Sequence, residues 1–263
     1  GMANSRDLLS GAQAGAAVAC AGPGPARDAF ASRRISVEAR GRGADLILIP
    51  GLASTAAVWS RTVERFEERR RLHLVSVRGF GELAPQANAE GALMGALAGE
   101  IRRYIVEQGL DRPAMIGHSM GGQLALRVAA DAPTRIDRVM TVDSSPFFPA
   151  LVSPRATLRD VEPIARVAYQ AIQFLGDEAL RARGRELGME LGGASDALFG
   201  AVGWQGGDRR VLAQALYEVM TVDLRRRLPE IAAPVTVAYG WWANRDSPRS
   251  GADALFRAAY GGL

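Results

Sequence analysis

Four short apolar runs, at residues 45–50, 72–77, 113–117 and 138–142, alternate with stretches of helical periodicity, and this alternation constrains the chain more than any other feature. A run without a polar face suits a strand buried on both sides, as in a parallel sheet. Between the first two runs, residues 56–70 place Val58, Trp59, Val63 and Phe66 at helical spacing. Glu64, Arg65, Glu67, Glu68 and Arg69 fall on the outer side, where mixed charge reads as a solvated face. Residues 92–108 form the next helix and 124–130 continue a third. Parallel neighbours need a crossover, and right-handed crossovers lay helices on both faces of the sheet. The expected fold is therefore α/β, a doubly wound, mostly parallel sheet, with the weakly alternating residues 34–39 as an edge strand.

After Asp143 the rhythm stops. No strand candidate occurs between residue 144 and about residue 227, only helical stretches punctuated by Pro154, Pro163, Gly176 and the pair Gly192-Gly193. This is the profile of a helical cap inserted over the carboxyl edge of the sheet, where open α/β sheets bind ligands. The sheet resumes at 234–239 and a helix follows at 253–260. Four parts result: an Ala/Gly-rich extension (1–33), a first core part (34–146), the helical cap (147–228) and a second core part (229–263).

Gly1 ahead of Met2 reads as a cleavage scar before the native start. Gly22-Pro23-Gly24-Pro25 ends the extension. Its small apolar residues 8–21, with Ala19-Cys20-Ala21, read as a disordered tail, with a secretion signal as the alternative. The corresponding compartment is cytoplasmic, or periplasmic or secreted on the second reading.

Composition narrows the functional classes. All 32 cationic residues are arginine, giving a net charge of +4, and they are scattered among acidic neighbours. Without an aromatic-interleaved basic stripe, nucleic acid is not an expected partner. No stretch is long and apolar enough for a bilayer. One cysteine excludes an internal disulfide, and two histidines exclude a multi-histidine zinc site. Neither a metal nor a cofactor is expected.

The chemistry concentrates at Gly117-His118-Ser119-Met120-Gly121, a G-x-S-x-G sequence extended by Gly122. A buried strand ends at Gly117 and a helix begins near Met120, the context a nucleophile elbow requires. Such a turn lifts the serine hydroxyl clear of the sheet and points a helix N-terminus at it.

With Ile49-Pro50-Gly51-Leu52, Arg78-Gly79-Phe80-Gly81, Val142-Asp143-Ser144-Ser145-Pro146 and Val237-Ala238-Tyr239-Gly240 around it, the elbow resembles that of the α/β-hydrolase superfamily. The likeness covers roughly residues 34–263 and is nearest to the esterase and C–C hydrolase branch with a helical cap. It implies Ser119 as nucleophile of a serine hydrolase acting on small, largely apolar esters or related carbonyl compounds. The backbone N–H groups of Leu52 and Met120 are implied as the oxyanion hole. Pro50-Gly51 stands where the family usually has His-Gly, a tolerable change because the donor is backbone. The implied acid follows the strand ending at Tyr239-Gly240, where the first carboxylate is Asp246; Asp143 is the alternative. Phe147, Phe148, Trp204 and Trp241 are expected to line an apolar substrate pocket.

Neither histidine suits the role of base. His118 lies inside the elbow on a different heading from Ser119, and His73 lies at the start of a buried strand. The family's histidine follows one further strand beyond residue 260. Two readings follow, a shortened chain whose complete form has that histidine, or a pseudo-hydrolase binding a small apolar ligand. A small-molecule substrate is the expected partner, and a homodimer is left open.

Overall fold

The computed structural model describes residues 29–176, 204–240 and 249–263. Six strands form one sheet: β1 (Ile35–Gly41), β2 (Ala44–Ile49), β3 (Arg70–Val77), β4 (Ala114–His118), β5 (Val139–Val142) and β6 (Val235–Ala238), in the order β1-β3-β2-β4-β5-β6. β1 pairs antiparallel with β3, and the other four pairings are parallel.

The strands owe their place to period-2 alternation within the apolar runs. Leu46, Leu48, Leu72 and Leu74 turn to one face and pack with Trp59 and Val63. Ile47, Ile49, Val75 and Val77 turn to the other, into the larger core. Helix α1 (Ser60–Phe66) supplies Val63 to the first face. Helices α2 (Met94–Glu107) and α3 (Met120–Asp131) serve the second, through Leu97, Ile101 and Ile105 and through Leu124 and Val128.

The stretch read as one helix over 56–70 divides. A 3-10 turn at Ala56–Trp59 leads into the short α1, and β3 already begins at Arg70. Pairing of β3 with both β1 and β2 explains the early stop. Arg42 N–H donates to Glu67 O at 3.1 Å, and Ala44 pairs with Arg70, so strand pairing claims residues that helical spacing had assigned to α1.

After β5 comes a 3-10 turn at Phe148–Leu151, then α4 (Leu158–Leu175), α5 (Arg209–Thr221) and a 3-10 stretch at Arg225–Glu230. No strand of the sheet lies in the described part of the insertion. β6 and α6 (Arg249–Ala259) complete the core, with Ala259 and Tyr260 buried in it.

The cap's return segment is stitched to the loops at the carboxyl edge. Gln205 N–H donates to Ala53 O (2.7 Å), Gly81 N–H to Gly206 O (2.9 Å) and Asp208 N–H to Gly79 O (2.8 Å). The Thr55 hydroxyl donates to Gln205 Oε1 at 2.6 Å. A carboxylate ties α5 to the core as well: Glu218 accepts from the N–H groups of Leu93 (2.7 Å) and Met94 (3.0 Å), donors left over at the start of α2.

Candidate active site

β4 delivers Ser119 to the carboxyl edge, and α3 begins at the next residue. Ser119 has φ 54° and ψ −118°, a conformation costing about 1–3 kcal/mol for an L-residue unless its surroundings enforce it. Close packing supplies that enforcement. A Cβ on Gly117 would lie 2.1 Å from Gly121 O, and one on Gly121 would lie 2.2 Å from Ile49 O. The glycines of the motif are thus required by backbone crossing backbone. Ser119 N–H donates to Val142 O at 2.9 Å, which ties the turn to β5.

The Ser119 hydroxyl is buried and has no hydrogen-bond partner among the described residues. The N–H groups of Leu52 and Met120 likewise have no acceptor among them. Leu52 lies in a turn closed by Ser54 N–H to Gly51 O (3.2 Å), in which Ala53 takes φ 58°. Sequence inspection does not reveal this strain, because alanine carries no left-handed signal.

His118 sits against the turn at Gly51. A Cβ on Gly51 would lie 2.9 Å from its Nδ1, so the imidazole occupies the space that glycine leaves. Nδ1 is buried without a partner. Burial lowers the His118 pKa from its ordinary value, and the nearby Asp143 charge only partly opposes this. His118 Nδ1 and Ser119 Oγ are not bonded to each other, since each is unpartnered.

Asp143 ends β5 with φ 47°, and its Oδ1 accepts from Gly240 N–H at 2.6 Å. This alternative acid therefore stands at the carboxyl edge, joined to the end of β6. Asp246, the first choice from sequence, and Trp241 lie outside the described residues.

His73 is occupied elsewhere. Its Nδ1 meets the Tyr104 hydroxyl at 2.6 Å and its Nε2 meets Asp45 Oδ1 at 2.8 Å, with the residue 1% exposed. It is level with Ile47 and, through that strand, with Met115, four residues before Ser119. At ~3.3 Å per residue that is roughly 13 Å along the sheet. Its partners, near the start of β2 and on α2, turn it away from the site.

Among the expected pocket residues, Phe148 is buried at 5% exposure and Trp204 is half-buried against the core. Phe147 is wholly enclosed, with the Arg225 guanidinium 4.5 Å above its ring. Sequence reasoning missed two polar side chains around the elbow. Gln123 is fully buried on α3 and donates to Ser145 O and Val219 O, both at 3.2 Å. The Ser144 hydroxyl donates to Ser119 O at 2.6 Å. Gly122 was the available signal for the second: a Cβ there would lie 2.4 Å from Ser144 Oγ, so this third glycine marks a close neighbour.

The family described as alpha/beta hydrolase fold matches residues 46–175. The chain is also 30% identical over 217 residues to the pimeloyl-[acyl-carrier protein] methyl ester esterase of Aeromonas hydrophila subsp. hydrophila, covering 78% of this chain and 80% of that one. The chain belongs to the α/β-hydrolase superfamily. An enzyme of the same name from Aliivibrio fischeri is 27% identical over 210 residues, 77% of each chain. These relatives make the chain an esterase-type hydrolase of that superfamily. Solved structures agree on the α/β-hydrolase fold. A hydrolase from Pseudomonas aeruginosa PA01 superposes with a TM-score of 0.63 at 18% identity, covering 89% of this chain and 86% of that one. A thermophilic esterase from Thermogutta terrifontis gives 0.63 at 20% identity, covering 85% and 80%.

Proposed function

We propose that the chain hydrolyses small, largely apolar carboxylic esters through an acyl-enzyme on Ser119. The observation that carries this reading is the elbow: a strained, buried serine at the head of α3, with no partner for its hydroxyl and no acceptor for the Leu52 and Met120 N–H groups among the described residues. Ser119 Oγ attacks the ester carbonyl carbon, and the carbonyl oxygen becomes an oxyanion held by the Leu52 and Met120 N–H groups. A fixed pair of donors aimed at developing charge is worth most in a dry site, and losing one typically costs ~10²–10³-fold in kcat. The intermediate then expels the alcohol, which carries away the proton given up by the Ser119 hydroxyl, and water releases the acid from Ser119 while returning a proton to Oγ. The relatives named for a pimeloyl-[acyl-carrier protein] methyl ester support an ester with a small alcohol portion.

Attack requires a proton acceptor for the hydroxyl and a carboxylate to orient it. Asp143 and Asp246 are the two carboxylates for the second role. Asp143 stands at the strand ends, held by the Gly240 N–H, and its charge reaches the elbow through His118. The test is ester hydrolysis with p-nitrophenyl butyrate by the wild type, Ser119→Ala, Asp143→Asn and Asp246→Asn. Ser119→Ala should abolish turnover, and one Asp→Asn variant should lose several orders of magnitude in kcat with little change in KM. Wild-type rates in Ser119→Ala would refute the proposal.

A second reading, a pseudo-hydrolase that binds a small apolar ligand, draws on the histidines. His73 is engaged by Tyr104 and Asp45, and His118 Nδ1 does not reach the Ser119 hydroxyl. It would be favoured by saturable binding of an ester analogue without turnover.

A further inference from the structure

The peptide between Ser119 and Met120 carries two groups on opposite edges of one plane, the Ser119 C=O and the Met120 N–H. No cis peptide bond occurs among the described residues, so this peptide is trans and the two groups point in opposite directions. Whatever fixes the carbonyl therefore fixes the direction of the N–H.

The Ser119 carbonyl accepts from Gly122 N–H (2.9 Å), Gln123 N–H (3.4 Å) and Ser144 Oγ (2.6 Å). The first two donors belong to the first turn of α3 and move with it. Ser144 comes from the chain beyond β5, fully buried, and its own carbonyl accepts from the Tyr260 hydroxyl at 2.8 Å. That hydroxyl also meets Thr141 Oγ1 at 2.9 Å, so the anchor is held to both β5 and the chain after α6. No Cβ fits at Gly122 because Ser144 Oγ and Cβ stand 2.4 and 2.5 Å from where it would be. The elbow helix is thus cut back to admit this one hydroxyl.

We propose that Ser144 is a positioning residue that aims the Met120 N–H at the substrate oxyanion by gripping the carbonyl on the other edge of the same peptide. This rests on the reading of Ser119 and Met120 given above. A hydrogen bond to a peptide carbonyl also polarises the peptide, which makes its N–H a stronger donor. Ser144 touches neither substrate nor the Ser119 hydroxyl and acts only through that peptide.

The experiment compares Ser144→Ala with Thr141→Val, which removes a buried hydroxyl from the same network without touching the Ser119 peptide. Two readouts are taken on proteins labelled with 15N-methionine: the Met120 amide resonance, and kcat against KM for p-nitrophenyl butyrate. Ser144→Ala should move the Met120 amide upfield and lower kcat by roughly 10- to 100-fold, less than outright loss of an oxyanion donor, with KM within about twofold. Thr141→Val should lose thermal stability while keeping the Met120 resonance and kcat. If Ser144→Ala lowers stability alone, with the Met120 amide and kcat as in the wild type, the residue is structural and the proposal is overturned. If the wild type lacks Ser119-dependent hydrolysis, the reading of function fails, and the Met120 resonance still decides whether Ser144 sets this peptide.

Discussion

Ser119, Ala53 and Asp143 account for three of the five non-glycine residues at positive φ among those described. Each directly follows or closely follows a parallel strand, so strain gathers at the edge where the site is read, as expected of pre-organised groups. Close approach makes the elbow brittle. Gly121→Ala would push a methyl to 2.2 Å from Ile49 O and should destabilise the fold by at least about 1–3 kcal/mol while removing activity; a denaturant midpoint checks the first part. His118 gives a pH prediction. Its pKa is lowered in the folded protein, so the unfolded chain binds more protons below its ordinary value of 6.5. Stability from this group is present above pH ~6.5 and is lost as pH falls through and below it. Melting temperatures between pH 8 and 5 should fall less steeply for His118→Gln than for the wild type, and parallel curves would contradict the shift. The elbow was legible because its chemistry is local in sequence. Ser144 was not, since its hydrogen bond spans 25 residues, and the strain at Ala53 is written in no residue type.

At the scale of elements, mostly apolar runs located β2 to β6 because burial on both faces leaves no continuous polar face along them. Helix α1 was overextended, since its spacing pattern runs on into residues that pairing of β3 captures. The N-terminus of α2 shows a further limit of local reading. Leu93, the residue before it, provides no cap, and its leftover donors are satisfied by Glu218 from α5, 124 and 125 residues away. Glu218→Ala should cost about 1 kcal/mol, the usual worth of a helix cap, or roughly 2–4 °C in Tm. Amide exchange should quicken in the first turn of α2, and unchanged protection of Leu93 and Met94 would show that the carboxylate is not their acceptor.

Across the whole molecule, the cap and the core are less separate than the order of segments suggests. Residues 205–208 are bonded to the turn at Ala53 and to the loop after β3. Gln123 joins the elbow helix to the last turn of α5. The sequence pointed to a helical insertion after Asp143 through the loss of strand rhythm. These stitches were invisible to it, because three of the four bonds at residues 205–208 are between backbone groups and carry no side-chain signature. The fold follows from patterns that burial and backbone sterics impose directly, and the family from motifs that lie at the strand ends. The acid and the base depend on loop paths that no periodicity encodes.

The central claim is that Ser119 is a working nucleophile. Incubation with a fluorophosphonate probe, followed by intact mass and peptide mapping, tests it most directly, because the probe reports hydroxyl attack without requiring the right substrate. The expected result is one adduct per chain, on Ser119, absent in Ser119→Ala. Labelling that persists in Ser119→Ala, or a wild type that stays unlabelled while it binds an ester analogue, would contradict it.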